Sequence, residues 1–387
     1  MNKIEIVTEK KDFYNLREEW NSLLEQSSGK SIYLTWEWLY TWWETFHDNR
    51  ELFILTIRDN GVLVGIAPLL VRQFKYFKFL PFKRVEFLGT GEDEKDEVCS
   101  NYLDFIVSKE RADIYAVIFE YLVRKLSSGI WDELVLKTMP ETSATLNTIS
   151  EYFSRNKEVA AQVKYEIVNH SECAVINLPE NWDTYLSSIS KSWRNQINRG
   201  RKEILSKGTV DCELITESDK LSLAFDEFIS LHQKRWQDVG KPGIFSSKKF
   251  TDFHKKVLGL FADKKWVRVR LLKCNGKTVA ASYTFNFNKT IYFYSPAYDR
   301  DFKTKIGIGL IERSYDIEDA IKYGCIYYDF YKAKEGGYKW HLAKDKKNVH
   351  DIYVFRKGVK YYLLTSIKHF KLLLKTIKTL CRGNRQV

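Results

Sequence analysis

The sequence predicts a mixed α/β (α+β) fold of two tandem domains, each a mixed, mainly antiparallel central sheet flanked by helices. Three observations carry this expectation. An Asn-Gly dipeptide separates two apolar, strand-like runs at two places, Asn60-Gly61 and Asn275-Gly276. Asn-Gly favours the type I′ hairpin because both residues tolerate positive φ. Helix-period segments precede each hairpin, and a strand, a helix and another strand come after it. The length of 387 residues, 44% hydrophobic and 15% aromatic, suits two cores better than one.

In chain order, helices are expected over 11–25 and 35–46, hairpin strands over 52–58 and 62–71, a strand over 84–88, a helix over 112–125 and a strand over 131–136. The second half repeats the pattern: helices over 221–239 and 247–261, hairpin strands over 266–273 and 278–287, a strand over 290–295, a helix over 310–323 and a strand over 326–330. The join is placed in the polar stretch 156–171. This divides the chain into 1–165 (a first domain without donor binding), 166–356 (a catalytic domain) and 357–387 (a basic C-terminal helix).

The tryptophans Trp36, Trp38, Trp42 and Trp43 lie on one helix that Thr35 can cap. Trp36, Leu39, Tyr40 and Trp43 share a face. Core packing is the expected role for most of these rings, with Trp38 and Trp42 as the exposed pair; a sugar-stacking platform is the alternative.

The glycine pair Gly307-Ile308-Gly309 opens a helix after a strand. Free backbone N–H groups and the positive end of the helix dipole point there at one spot, which suits a phosphate-bearing anion. Lys303 and Lys305 stand just before it. The first half has Gly89-Thr90-Gly91 in the matching place, but Glu92-Asp93-Glu94-Lys95-Asp96-Glu97 comes next. That run would repel phosphate, so a single nucleotide site is expected, in the second half. Close helix–strand packing is the other reading of the glycine pair.

The formal net charge of +12 points to an anionic partner or surface, or to a generally basic composition. Six scattered cysteines form no C-x-x-C, so neither metal nor a disulfide framework is expected. The N-terminus has no signal-peptide core, and no run of about 18 apolar residues exists. The expected location is cytoplasmic. After Asp351 the sequence has no acidic residue, while Leu363, Ile367, Phe370, Leu374 and Ile377 repeat at helical spacing beside Lys368, Lys371, Lys375 and Lys378. An amphipathic helix on the anionic inner face of a membrane fits this pattern, as does a docked helix with a solvated basic face.

Four passages of the second half stand in order: Leu231-His232-Gln233-Lys234-Arg235-Trp236; Ser295-Pro296-Ala297-Tyr298-Asp299 with the glycine pair; Tyr328-Asp329-Phe330; and Gly337-Tyr338-Lys339. The first half adds Thr35-Trp36-Glu37-Trp38 and Gly65-Ile66-Ala67-Pro68-Leu69. In these passages the chain resembles the GNAT acyltransferase superfamily, and more closely the CelD-like (cellulose-biosynthesis) acetyltransferases, relatives of the FemAB peptidoglycan-bridge transferases.

The resemblance implies two GNAT folds in tandem, with acetyl-CoA or another acyl-CoA as co-substrate on the second. Lys303, Lys305, Gly307, Ile308 and Gly309 would hold its pyrophosphate. The family loop reads Gln/Arg-x-x-Gly-x-Gly/Ala, and Thr304 stands here at the Gln/Arg position. Either a flanking lysine supplies the charge or the donor is not CoA; FemAB-type relatives use aminoacyl-tRNA, which a basic chain also suits. Their coiled-coil arm is not visible, because Gly240-Lys241-Pro242-Gly243 breaks that region.

The implied reaction is direct acyl transfer to the amine of an amino-sugar or a cell-envelope or exopolysaccharide precursor, free or lipid-linked; a non-catalytic accessory role in polysaccharide synthesis is a third reading. Such transfer needs a proton acceptor, oxyanion donors and protonation of the leaving group. Asp329, in an aromatic strand, is a candidate base or a structural hydrogen-bond acceptor. Lys339 and Tyr338 are candidates for the oxyanion and the leaving group. His232 and Arg235, at i, i+3 spacing, together with Tyr298 and with Arg194 in a basic helix, are candidate acceptor contacts; a solvated face is the bland reading of the basic helix.

Overall fold

The computed structural model describes residues 2–383, with side chains placed for residues 2–373. Among the described residues thirteen strands form one sheet: β1 (Asn2–Val7), β2 (Arg50–Asp59), β3 (Val62–Tyr76), β4 (Leu80–Phe87), β5 (Ile106–Val107), β6 (Glu133–Pro140), β7 (Val163–Asn177), β8 (Val210–Ile215), β9 (Val267–Cys274), β10 (Lys277–Phe287), β11 (Thr290–Tyr298), β12 (Tyr327–Lys332) and β13 (Asp345–Arg356). The helices that flank the sheet and frame the site include α1 (Trp36–Phe46), α2 (Asp113–Ser127), α3 (Lys191–Ser206), α4 (Ser218–Gln237), α5 (Lys248–Ala262), α6 (Ile308–Lys322) and α7 (Val359–Gly383).

The strand order is β1-β2-β3-β4-β6-β13-β7-β12-β11-β10-β9-β8, with β5 on β3. It is nearly symmetric about its centre. Each half is an antiparallel run ending in one short parallel pair, β4 with β6 and β11 with β12. Both Asn-Gly hairpins form, with Asn60 and Asn275 at positive φ as a type I′ turn requires. The mixed, mainly antiparallel sheet in two similar halves, flanked by helices, is therefore as the sequence predicts.

The join is different. The stretch expected as a polar connection runs into the first part of β7, and the boundary at 165 falls inside that strand. β7 pairs with β12, while β13, at the far end of the second half, pairs with β6 of the first. The two halves thus exchange their last strands, and β7 and β13 pair with each other along twelve positions. The polarity of β7 has a simple cause: residues 166–170 are exposed on both faces, and an apolar run is needed only where the faces are covered.

Trp38 and Trp42, expected at the surface, are fully buried. The face of α1 that carries them packs against α5 of the other half, with the Trp38 ring 4.9 Å from Phe253 and 6.3 Å from Phe261. An apolar face that is surplus to one domain is here the interface between two. Thr35 caps α1 as expected, accepting from the Trp38 amide.

Behind the second half-sheet, α6 is anchored by buried charge. Arg268 and Arg270 on β9 reach Asp316 at 3.1 and 3.3 Å, and Arg270 also reaches Asp319 at 2.6 Å. Arg313 donates to the Tyr328 hydroxyl, which donates to Asp316. Removing one member of such a set leaves an uncompensated buried charge, costing about 3–5 kcal/mol. The basic helix α3 packs against α6 through Gly200, where a Cβ would stand 2.8 Å from Ile311, and Arg201 pairs with Glu318.

Candidate active site at the parting of two strands

β11 and β12 pair in parallel only over Thr290–Tyr292 and Tyr327–Asp329. Beyond that they part. The parting is produced by a bulge: Tyr331 sits at φ +56°, and the β12 register against β7 shifts between Asp329 and Lys332. A non-glycine residue there is strained by on the order of 1–3 kcal/mol and persists only if held. Asp329 holds it, accepting the Tyr331 amide at 2.8 Å on one oxygen and the Tyr102 hydroxyl at 2.8 Å on the other.

The opening is one wall of a cavity of about 1180 Å³ between the halves. The second half lines it with Phe293–Pro296 of β11, Phe330–Lys332 of β12, Tyr338 and Lys339; the first half contributes Gly89–Glu94, Glu97 and Cys99–Asn101. Tyr294 fastens the two together, its hydroxyl donating to the Val98 carbonyl at 2.8 Å. Lys137, His170 and Tyr353 line it further, with Arg72, Phe74, Tyr76 and Arg84 from the β3–β4 hairpin.

Two titratable groups of the cavity are displaced toward neutrality. The Lys339 ammonium donates to the carbonyls of Phe330 (2.5 Å) and Lys332 (2.9 Å), just where the bulge leaves them unpaired. Burial, then the nearby Arg313 charge, lowers its pKa to about 8. Glu92 faces the cavity from the first half, with one oxygen accepting from the Trp42 indole N–H. Burial raises it to about 7 against that hydrogen bond. Arg50 secures the loop by donating to the Gly91 carbonyl. Cys99 also faces the cavity, but burial and the Glu97 charge push its thiol up to about 12, which keeps it out of thiolate chemistry.

The glycine pair stands apart from this cavity but close to it. Tyr298, two residues beyond the cavity-lining Pro296, touches Gly309, a separation of roughly 7 Å along the strand. Gly307 caps α6 with open space where a Cβ would point. Among the described residues the amides of Gly307, Ile308 and Gly309 have no acceptor. The two amides before them are taken, because Glu203 of α3 accepts from Lys305 (2.7 Å) and Ile306 (3.4 Å). The anion-binding groups are thus three amides rather than the whole loop. Ile308 turns its side chain into the core, and Lys305 is exposed, as is Lys303, which binds the Arg300 carbonyl.

The remaining expected residues divide. Arg235 donates to the Pro296 carbonyl at 3.3 Å and lies over the Tyr298 ring, so both stand between cavity and glycine turn. Tyr338 is 42% exposed at the cavity. His232 does not join them. It is buried among Phe228, Phe245 and Trp236, accepts the Trp236 indole N–H, and is held neutral at about 4 by burial and then the Arg235 charge. Arg194 lies on α3, reaching only the Ser187 carbonyl among the described residues, and does not line the cavity. Asp329 is fully buried and lies behind the lining, as an acceptor for the bulge. Among the described residues no cluster of His, Cys, Asp and Glu is placed to hold a metal ion.

Residues 191–340, which contain both α6 and Lys339, match the family described as an acetyltransferase (GNAT) domain. This stretch marks the chain as a transferase that carries a GNAT-type domain. No curated protein matches it in sequence. Among solved structures it is similar to FemX, at 10% identity over 94% of this chain and 99% of that one, with a TM-score of 0.61. It is also similar to the C-terminal domain of a putative lysylphosphatidylglycerol synthetase from Agrobacterium fabrum (11% identity, 92% and 95% covered, TM-score 0.49) and to a tandem GNAT protein from the clavulanic acid biosynthesis pathway (9%, 92% and 99%, 0.46). The FemX likeness speaks for the fold alone.

Proposed function

We propose that the protein transfers an acyl group from acyl-CoA directly to an amine of an amino-sugar or of a cell-envelope or exopolysaccharide precursor, as the resemblance to CelD-like acetyltransferases suggests. One observation carries the donor: three unpartnered amides open a fifteen-residue helix beside the strand end that lines the cavity. They fit a phosphate group, with Arg235 and Tyr298 on the way to the cavity. Acyl-CoA would supply the activated acyl group as a thioester.

The cavity residues account for the rest. Glu92, titrating near 7, takes the proton that makes the acceptor amine nucleophilic. Its acidic neighbours Asp93, Glu94 and Glu97 favour a cationic ammonium at this wall. Lys339 uses two of its N–H groups on backbone carbonyls, which leaves the third for negative charge developing on the acyl oxygen or the leaving sulfur. The unpaired edges of β11 and β12 offer backbone groups to an extended, amide-bearing chain.

An aminoacyl-tRNA donor, as in FemAB-type relatives, is the second reading, favoured by the FemX-like fold. Against it, α4 and α5 pack on the sheet and on each other rather than projecting as an arm. Isothermal titration with acetyl-CoA separates the two. Micromolar to sub-millimolar binding that Gly307→Asp weakens is expected; no heat at millimolar acetyl-CoA, with transfer from charged tRNA, overturns the CoA reading.

A further inference from the structure

Helix α7 is packed on the protein by only one side. Tyr361, Leu364 and Ile367 rest on Tyr76, Phe77, Leu80 and Phe82 of the β3–β4 hairpin and on Tyr353 and Phe355 of β13. Lys368 lies over the Tyr76 and Phe355 rings and Lys371 over Phe77, 3.7 Å from its centre. The opposite side is apolar and open: Val359 is 85% exposed, Leu363 46%, Phe370 61% and Leu373 57%. These positions fall on one face at helical spacing. The hairpin tip extends this surface. Phe79 is 63% exposed beside Phe77, between the exposed lysines Lys75 and Lys78. The expected residues Leu374, Lys375, Ile377 and Lys378 lie outside the described side chains.

The charge that borders this surface is of one sign. Lys75, Lys78, Lys368 and Lys371 have no ion-pair partner among the described residues. The nearby carboxylates sit at the start of the helix: Asp132, paired with Lys360 at 2.6 Å, and Glu166 near Tyr361. A second copy laid on this face would bring the bordering lysines of the two copies together. An anionic bilayer meets both features, taking the apolar side chains among its acyl chains and the lysines among its headgroups.

We propose that α7 and the β3–β4 hairpin form one docking face for an anionic lipid surface, and that this face presents the cavity to a membrane-anchored acceptor. The second clause rests on the acyltransfer reading; the first does not. The same hairpin that carries α7 sends Arg72, Phe74, Tyr76 and Arg84 into the cavity wall, so the hairpin side of the cavity lies next to the docking face.

Vesicle co-sedimentation of the full chain tests this, with vesicles of phosphatidylcholine alone or with one third phosphatidylglycerol. The double variant Leu363→Ser, Phe370→Ser changes only exposed positions and is checked for wild-type melting and acetyl-CoA binding. At least tenfold stronger partition to the anionic vesicles, lost in the variant and reduced by 0.5 M salt, is expected. Equal partition to both vesicle types, no partition, or unchanged partition of the variant overturns the proposal. So does a concentration-dependent dimer of the wild type that the variant abolishes, which would make a second copy the occupant. Because sedimentation needs neither donor nor acceptor, its failure is separate from a failure of the acyltransfer reading, which the acetyl-CoA titration reports.

Discussion

The two strand partings of this sheet are built alike and used differently. In each half the parallel pairing runs for three positions and then stops: Arg84–Glu86 against Glu133–Val135, and Thr290–Tyr292 against Tyr327–Asp329. In each, the departing strand carries a residue at positive φ, Thr138 at +58° and Tyr331 at +56°. In each, a buried aspartate accepts that residue's amide, Asp351 at 2.9 Å and Asp329 at 2.8 Å. The gaps themselves differ. In the first half the chain between the strands returns to fill its own gap, Leu103 donating to the Thr138 carbonyl with Val98, Leu103 and Phe105 buried. In the second half the gap stays open toward the cavity, and a helix with free amides begins beside it. A repeated scaffold has one parting closed by its own loop, and that loop walls the parting of the other half.

Breaking the open side should have the largest effect. Lys339→Met removes the ammonium that faces the gap, and kcat should fall by roughly 10²–10⁴. In the wild type the rate should rise as Glu92 loses its proton near 7 and fall as Lys339 loses its own near 8, a narrow bell read from a pH–rate profile. Glu92→Gln should abolish the acid limb while leaving acetyl-CoA binding intact; an unchanged acid limb would remove Glu92 from the mechanism.

The two bulge aspartates come next. Asp329→Ala strands the Tyr331 amide and the Tyr102 hydroxyl, a loss of about 2–4 kcal/mol from two buried unsatisfied groups. Asp351→Ala should be comparable in denaturant unfolding, but the pH dependence of stability should be opposite. Burial works against the Asp351 carboxylate, yet His170 and the Thr138 amide keep its pKa below the ordinary value. Its contribution is present above the unfolded value and is lost as pH falls through the folded one. Burial, opposed by Lys347 and by its hydrogen bonds, raises Asp329. Its contribution is full below the unfolded carboxylate value and diminishes as pH rises through the raised one. Wild-type minus variant stability should slope upward with pH for Asp351 and downward for Asp329.

The smallest effect separates the glycines. Gly307→Asp sets a carboxylate against the three amides and should raise KM for acetyl-CoA about tenfold with little loss of stability, since a Cβ there meets open space. Gly91→Ala should do the reverse. Gly91 sits at φ +91°, and a Cβ would collide with Glu86 and Arg72, so the melting temperature should drop while KM holds. Equal effects on both readouts would erase the distinction between the two turns.

The local parts of this architecture are legible in sequence because their signals are local. Asn60-Gly61 and Asn275-Gly276 fix hairpins within a few residues, and Gly307 marks the start of α6 where Ile308 resumes helical periodicity. The exchange of β7 and β13 is not legible, because pairing over about 180 residues leaves no trace in either strand; β7 reads as a polar connection. For the same reason Trp38 and Trp42 read as surplus on α1 until α5 arrives. Glu92 is visible as part of an acidic run, but its place across from β11 depends on how the halves meet. Asp329 is conspicuous among aromatic rings, and burial alone does not say whether such a carboxylate moves a proton or supports a bend; the Tyr331 amide does.

The exchanged strands have a consequence for how such a molecule is made and lost. A protein cut at residue 165 would not yield two independent domains, for the cut falls inside β7 and parts β6 in one fragment from β13 in the other. Each would present an unpaired edge of the kind that recruits further strands. Neither half can be discarded or inherited separately, because the last strand of the second half closes the sheet of the first.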